Sequence, residues 1–436
     1  MARPARDDDG GEPDFDGTAL TSRVLPRGLG ERLDRLARLV LLGARSPTGS
    51  GRLEIRENGG TYSSGDGEPF ARVDVHDSRT YGALLRRGSV GLAGSYVAGW
   101  WDCDDLVSLV RVLSRRTAGV RSLLDRIFGD RAVRLLLDLA PGRKRSGRAL
   151  DQRNIRAHYD ISNELFELML DPSMSYSCAI FDGPEDSLED AQLRKIDRIC
   201  RKLALSASDH LVEIGTGWGA LSIHAAEAYG CRVTTTTVSE AQRRHVAELV
   251  GAKGLSDRVQ VLGTDWRDLS GSYDKLVSVE MIEAVEWRHL GLFLAKCASL
   301  LEPDGLACMQ MIVIEDGSFE RAKRHHDFIR GVIFPGSCIP SVASISTALA
   351  SSTDLSIVDL EDIGRHYAET LRRWADNLAQ RAAEVDRLAA EPEFRRLFAF
   401  YLAYCEGAFL ERHISDVQLL LARAAWRDEL KERSFR

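Results

Sequence analysis

Three closely spaced glycines, in the run Glu213-Ile-Gly215-Thr-Gly217-Trp-Gly219, are the part of this chain that most directly calls for a ligand. The run falls where a short apolar strand over residues 211–214 gives way to a helical pattern reaching 229. Glycine there tolerates positive φ and lets a ligand come close to the backbone. The last glycine follows the second by two residues, which is not the GxGxxG spacing of pyrophosphate loops. No Gly-Lys-Ser/Thr follows, so a P-loop is excluded as well. Glu213, just before the first glycine, reads either as a ligand contact or as an end-of-strand charge in solvent. Eight cysteines (Cys103, Cys178, Cys200, Cys231, Cys297, Cys308, Cys338 and Cys405) include no Cys-x-x-Cys pair. Neither a zinc cluster nor a dithiol site is written here, no metal is expected, and reduced cytoplasmic thiols are the simplest reading.

The elements that must carry this loop follow from hydrophobic periodicity. Strands are expected at 211–214, 232–238, 259–263, 275–279 and 306–314, with helices between them, which predicts an α/β fold with a parallel sheet covered on both faces. Residues from about 316 to 345 interrupt the alternation with a charged helix and the loop Phe334-Pro-Gly-Ser-Cys-Ile-Pro340, an insertion placed to shape a substrate site. Upstream, 1–20 reads as a disordered tail and 21–140 as a smaller α+β domain, with a helix at 29–42 and strands at 53–56 and 70–75. Residues 141–152 read as a basic linker and 153–436 as the main domain. The 436 residues are 44% hydrophobic and 28% charged, with net charge −7, so a global attraction to nucleic acid is not expected. No signal peptide and no run of about 18 apolar residues is present, so any membrane contact is expected from the surface. Arg111, Arg115, Arg116 and Arg121, then Arg143, Lys144, Arg145 and Arg148, form local basic clusters that read either as anionic-headgroup contacts or as solvated surface.

With Glu213 ahead of it, the glycine loop resembles the first motif of S-adenosylmethionine-dependent methyltransferases, the alternatives being a nicotinamide-type loop or a plain turn. A helix N-terminus with glycine amides suits the carboxylate of that cofactor. After the second strand, Thr237-Val-Ser-Glu-Ala-Gln242 makes Gln242 the candidate partner for its hydroxyls. Asp265-Trp266 would flank the adenine, Trp266 by stacking or else as an aromatic filling a core gap.

Longer stretches resemble the cyclopropane fatty acid synthase family over residues 80–425. They include His158-Tyr-Asp-Ile-Ser-Asn-Glu-Leu-Phe166, Met174-Ser-Tyr-Ser-Cys178, Val277-Ser-Val-Glu-Met281 with Glu283, and Phe334-Pro-Gly. Tyr367-Ala-Glu-Thr-Leu371 and Tyr401-Leu-Ala-Tyr-Cys-Glu-Gly-Ala-Phe409 complete the match, and 88–103, with Trp100-Trp101, resembles the lipid-binding domain of the phospholipid-acting branch. The resemblance implies a class I methyltransferase, a Rossmann-like seven-stranded sheet, with a smaller N-terminal α+β lipid-binding domain. It implies methyl transfer from S-adenosylmethionine to the double bond of an unsaturated acyl chain of oleoyl type on a membrane phospholipid. Tyr176, Ser177, Gly215, Gly217, Gly219, Thr237, Gln242 and Trp266 match cofactor-contacting positions. A bound bicarbonate would act as base, with Cys178, Glu283 and Tyr367 as its ligands and Gln310 where a histidine is usual; Cys405 matches a second active-site cysteine.

An alkene is a poor nucleophile, so methylating it generates a carbocation, which demands a dry pocket, a nearby anion and a base. Cys178 is not needed as a covalent nucleophile and reads equally as a small buried residue. Gln310 and Ala284, both where histidine is common, depart from the family pattern; glutamine cannot take up a proton near neutral pH. Slower proton loss would permit a 1,2-hydride shift and a 10-methylene product, the pattern of the tuberculostearic acid branch, in place of a cyclopropane. A separate reductase would then be expected. A cytoplasmic enzyme peripheral to the inner membrane face, with a homodimer supportable by the N-terminal apolar faces, completes the expectation. The competing readings are a C-methyltransferase of a soluble small molecule and a non-catalytic lipid-binding protein.

Overall fold

The computed structural model describes residues 49–116, 163–325, 327–389 and 393–427. The tail, the expected 29–42 helix, the linker and Arg121, Arg143, Lys144, Arg145 and Arg148 lie outside the described residues.

The N-terminal part is a four-stranded sheet with a helix against it. β1 (Arg52–Glu57) pairs antiparallel with β2 (Gly60–Ser64) and parallel with β3 (Phe70–Val75), and β3 pairs antiparallel with β4 (Trp101–Cys103). Alternation in Phe-Ala-Arg-Val-Asp-Val sends Ala71, Val73 and Val75 inward, the period-2 pattern of a half-buried strand. β2 and β4 are too short and polar to stand out in the sequence. Helix α1 (Arg79–Val97) crosses between β3 and β4 and is kinked at Gly88, whose φ of 53° only glycine adopts at little cost. The Trp100-Trp101 segment has a packing role. Trp101 is fully buried, its indole N–H donates to Ser95 Oγ at 2.9 Å, and Arg396 donates to the carbonyls of Tyr96 (2.7 Å) and Trp101 (2.9 Å).

The larger part carries seven strands in the order β10-β11-β9-β8-β5-β6-β7. β5 (His210–Ile214), β6 (Arg232–Thr236), β7 (Val259–Leu262), β8 (Tyr273–Val279) and β9 (Leu301–Ile314) are parallel, as the alternation predicted. β9 begins five residues earlier than expected. β10 (Ser356–Asp362) and β11 (Ile414–Ala422) join it antiparallel, with Gln418 opposite Gln310. Helices α2 (Asn163–Met169), α3 (Leu188–Lys202), α4 (Ala220–His224), α5 (Glu240–Ala252), α6 (Leu290–Leu300), α7 (Asp316–Ala322), α8 (Val342–Ser352), α9 (Gly364–Gln380), α10 (Ala382–Leu388) and α11 (Phe394–Leu410) connect or cover the strands. α3 starts where Ser187 Oγ accepts from the Asp190 amide, an N-cap, and ends in Arg201 and Lys202, whose charges suit a helix C-terminus.

One apolar cluster runs from Leu53, Val73 and Trp101 of the small sheet through Phe328 to Tyr367, Trp374 and Phe400 of α9 and α11, so the two parts share a core. Arg111 and Arg115 complete this join. Their Nε atoms donate to the two oxygens of Glu411, at 2.8 and 2.7 Å, while buried Arg116 donates to the Ser64 carbonyl at 2.7 Å. These three arginines are engaged by other segments of the same chain and are not a free patch for headgroups, which corrects that reading for them. Among the described residues, no helix is long and apolar enough to cross a membrane.

Candidate active site

At the end of β5 the chain turns through Gly215, Gly217 and Gly219, with φ of 101°, 53° and 92°. A Cβ on Gly219 would lie 2.9 Å from Val246 of α5, and one on Gly215 would lie 3.2 Å from Met281 beyond β8. The loop is therefore wedged between two neighbours, and glycine is needed for space as well as for φ. Glu213 is buried and accepts from Ser222 Oγ and from Thr235 Oγ1, the latter at 2.6 Å. Burial pushes its carboxyl up to about 7 against both hydroxyls. It braces the loop from beneath; the solvent-charge alternative is excluded.

Gln242 Oε1 accepts from Thr237 Oγ1 at 2.8 Å, which leaves its amide nitrogen as the group to meet a ligand. Asp265 turns toward Arg267, accepting its amide at 3.0 Å and its guanidinium at 3.1 Å. Trp266 meets Phe293 edge-on at 5.1 Å and carries the Arg267 guanidinium 4.7 Å from its ring, so it packs and lines the cavity at once. Tyr176 stacks on Trp374 and bonds Tyr401 through the two hydroxyls at 2.7 Å; Ser177 Oγ accepts from buried Lys195 at 2.6 Å.

Beyond the loop, at the tips of β8 and β9, lies a cluster of carboxyl groups whose centre is Glu280. Its φ is 47°, a left-handed conformation uncommon outside glycine. Oε1 of Glu280 accepts from the Cys178 amide at 2.7 Å and from Gln310 Nε2 at 2.9 Å, and Oε2 accepts from the Tyr367 hydroxyl at 2.6 Å. Gln418 Nε2 donates to Gln310 Oε1 at 3.1 Å, which turns the Gln310 NH2 toward Glu280. Glu283, on the next short turn, accepts from the Ile312 amide at 2.6 Å through Oε1, and its Oε2 is buried without a partner. Burial, then the charge of Glu280, raises its carboxyl to about 8. Asp416 is fully buried on β11, and burial, then the charge of Glu280, pushes its carboxyl well above the ordinary range.

This arrangement corrects the expectation that Glu283, Tyr367, Cys178 and Gln310 surround one bicarbonate. Tyr367, the Cys178 amide and Gln310 converge on Glu280, and Glu283 bonds a different partner. The donors a bicarbonate would need are engaged by a side-chain carboxylate, so these residues do not fit that ion. Cys178 contributes its amide; its thiol is fully buried, donates to the Ala179 carbonyl at 3.3 Å and is raised well above the usual range by desolvation. Cys405 lines the cavity from α11, and burial raises its thiol too, so neither cysteine is a ready thiolate. Sequence reasoning missed Glu280 although it lies in the quoted segment. Its signal is an acid at the carboxyl tip of the strand beside the glycine loop, where open α/β sheets bind ligands.

A cavity of about 1430 Å3 joins these parts. It runs from Gly217, Gln242 and Trp266 past Glu280 and Glu283 to an apolar stretch whose walls come from three places. Leu84 and Leu92 belong to α1, Ile329 and Phe334 to the insertion, and Tyr404 and Phe409 to α11. That exceeds the few hundred to about 1,000 Å3 of most single-ligand sites and suits two ligands end to end.

Comparisons with known proteins agree with this architecture. The family model described as mycolic acid cyclopropane synthetase matches residues 147–419. The chain is 36% identical over 349 residues to the tuberculostearic acid methyltransferase UfaA1 of Mycobacterium tuberculosis, covering 78% of this chain and 80% of that protein. It is 33% identical over 360 residues to the cyclopropane-fatty-acyl-phospholipid synthase of Escherichia coli K12, covering 82% and 89%. Among solved structures, mycolic acid cyclopropane synthase CmaA1 complexed with SAH and CTAB superposes with a TM-score of 0.58 at 28% identity, over 62% of this chain and 98% of that one. A sheet of class I methyltransferase type, a glycine loop at its switch point and a family match over most of the chain lead to one conclusion: this chain belongs to the mycolic acid cyclopropane synthetase family of S-adenosylmethionine-dependent fatty acid methyltransferases.

Proposed function

We propose that the enzyme methylates the double bond of an unsaturated acyl chain, of oleoyl type, carried by a membrane phospholipid, and that a 10-methylene-branched chain is favoured over a cyclopropane. The observation that carries this reading is the single cavity with a cofactor-type loop at one end, carboxylates in its middle and an apolar channel beyond. Similarity along most of its length to a tuberculostearic acid methyltransferase and to a phospholipid synthase supports the substrate class, and Gln310 supports the methylene branch.

Gly215, Gly217, Gly219, Thr237, Gln242, Asp265 and Trp266 would hold S-adenosylmethionine, with Tyr176 and Ser177 closing over it and Glu213 bracing the loop. The cofactor, when bound, supplies an electrophilic methyl group. The chain's own residues do the rest. Tyr176, Tyr401 and Phe409 exclude water that would trap the cation, and their π faces and the carboxylate of Glu280 stabilise positive charge. Lipid entry is proposed beside α1, where Leu85 lines the cavity yet is 46% exposed; this would seat the enzyme peripherally on the inner membrane face. A methylene product would need a separate reductase for saturation.

The test is to incubate the purified chain with labelled S-adenosylmethionine and vesicles of dioleoyl phospholipids, then identify the acyl product by mass spectrometry. A methylene-branched chain is expected. A ring as the sole product would end the methylene assignment, and label entering no unsaturated phospholipid would end the substrate assignment.

A further inference from the structure

We propose that Glu280 is the catalytic base of this enzyme, its side-chain carboxylate standing where a free anion would otherwise be recruited. The inference rests on the methyl-transfer reading above and deepens it.

Two donors reach Oε1, the Cys178 amide and Gln310 Nε2, and one reaches Oε2, the Tyr367 hydroxyl. Three donors converging on one carboxyl group is the pattern of an acceptor-only carboxylate. Oε1 takes two of these donors and Oε2 one, the Asp416 carboxyl is a further hydrogen-bonding neighbour, and Glu280 lines the cavity. The glycine loop is the neighbouring strand tip: Ser278, two residues earlier, donates to the Ile214 carbonyl at 3.0 Å, and the Met281 side chain, one residue later, would lie 3.2 Å from a Cβ on Gly215. The Glu280 carboxylate therefore stands beside the loop proposed to hold the methyl donor. Its backbone adopts a left-handed φ at a non-glycine residue, and the Glu280 amide donates to the Gln310 carbonyl at 2.8 Å to hold it there. Strain of this kind persists where the surroundings over-determine it, and here they aim one side chain.

The step balances without a co-reactant. The olefin π pair forms the new C–CH3 bond as the C–S bond of the sulfonium breaks, with its pair left on sulfur, and the adjacent carbon becomes cationic. For a methylene product, a hydride shifts from the methylated carbon to its neighbour. Oε2 then takes a proton from the methyl group, and that C–H pair becomes the new C=C bond. For a ring, the same proton leaves without the shift and the pair closes the third C–C bond. The proton rests on Glu280 until the product departs and solvent receives it. A proton next to a carbocation is strongly acidic, so a carboxylate stabilised by three protein donors is base enough. Burial and the charge of Glu280 push the carboxyl of neighbouring Asp416 well above the ordinary range, which favours its neutral form beside the base.

The experiment measures product formation by the full chain in buffer stripped of carbon dioxide and bicarbonate, and again with bicarbonate added. The expected result is the same kcat in both. Glu280→Gln, whose cofactor affinity is checked by calorimetry, should lose at least 100-fold in kcat at near-unchanged affinity. Glu280→Gly, which relieves the backbone and opens the anion position, should regain activity when bicarbonate or formate is supplied. Loss of wild-type activity on bicarbonate removal, or a Glu280→Gln kcat within threefold of wild type, would overturn the assignment. Absence of any wild-type product would instead count against the proposed substrate.

Discussion

Around the glycine loop, polar groups keep capacity for something not part of the chain. Gln242 engages its Oε1 with Thr237 and retains its amide nitrogen, and a Cβ on Gly217 would meet no atom within 4 Å. Around Glu280 the chain satisfies itself, with three elements from distant parts of the sequence each contributing a donor to one carboxylate. The first arrangement suits a ligand that enters and leaves each turnover, because unsatisfied donors at a binding site are what confers affinity. The second suits a group that must be in place before the reaction begins, because preorganised partners need no reorganisation as charge develops. Glu283 stands between the two, one oxygen bonded and the other orphaned.

The sharpest way to break this contrast is at the loop. Gly219→Ala forces a side chain onto a φ of 92° and into Val246, so cofactor affinity should fall more than tenfold, and Tm should drop by several degrees. Calorimetry with S-adenosylhomocysteine measures the first, and unchanged affinity would remove the loop from the cofactor site.

Tyr367→Phe should act in the opposite sense. Losing a hydrogen bond to a charged group is worth about 1.5–3 kcal/mol, so kcat should fall roughly 10- to 100-fold while cofactor affinity holds. A parallel loss of affinity would mean that the two ends are not separable.

Glu283 sharpens the comparison through pH. Its carboxyl is raised to about 8 in the fold against an ordinary value of 4.5, so the native state holds its proton more tightly than the unfolded chain. The resulting stability is full below about pH 4.5 and is lost as pH rises through 8. Thermal melts of Glu283→Gln should decline less between pH 6 and 8.5 than those of the wild type; identical slopes would show that the buried oxygen is in fact hydrated.

The smallest effect is expected at Gln418→Met. It frees the Gln310 amide to rotate without changing volume much, so kcat should fall about three- to tenfold and stability by about 1 kcal/mol. An unchanged kcat would mean that Gln310 needs no orientation.

Much of the frame was legible beforehand because it is local. The five parallel strands announce themselves by apolar runs with helices between, and the glycine spacing marks the turn after β5. β10 and β11 are less legible because β10 is largely exposed and reads like a loop. The basic run at Arg111 and Arg115 was misleading for a related reason: nothing near it in sequence reveals Glu411, some 300 residues away, as its partner.

The residue pattern alone was enough for the family resemblance, the glycine loop and the presence of two glutamates three residues apart at a strand tip. Only the tertiary structure decided which of them receives the donors. That choice depends on a left-handed turn at Glu280 and on the arrival of the Cys178 amide, Gln310 on β9 and Tyr367 on α9. Side-chain identity sets what a group can do, but the direction in which it points comes from non-local packing, which no window of sequence contains.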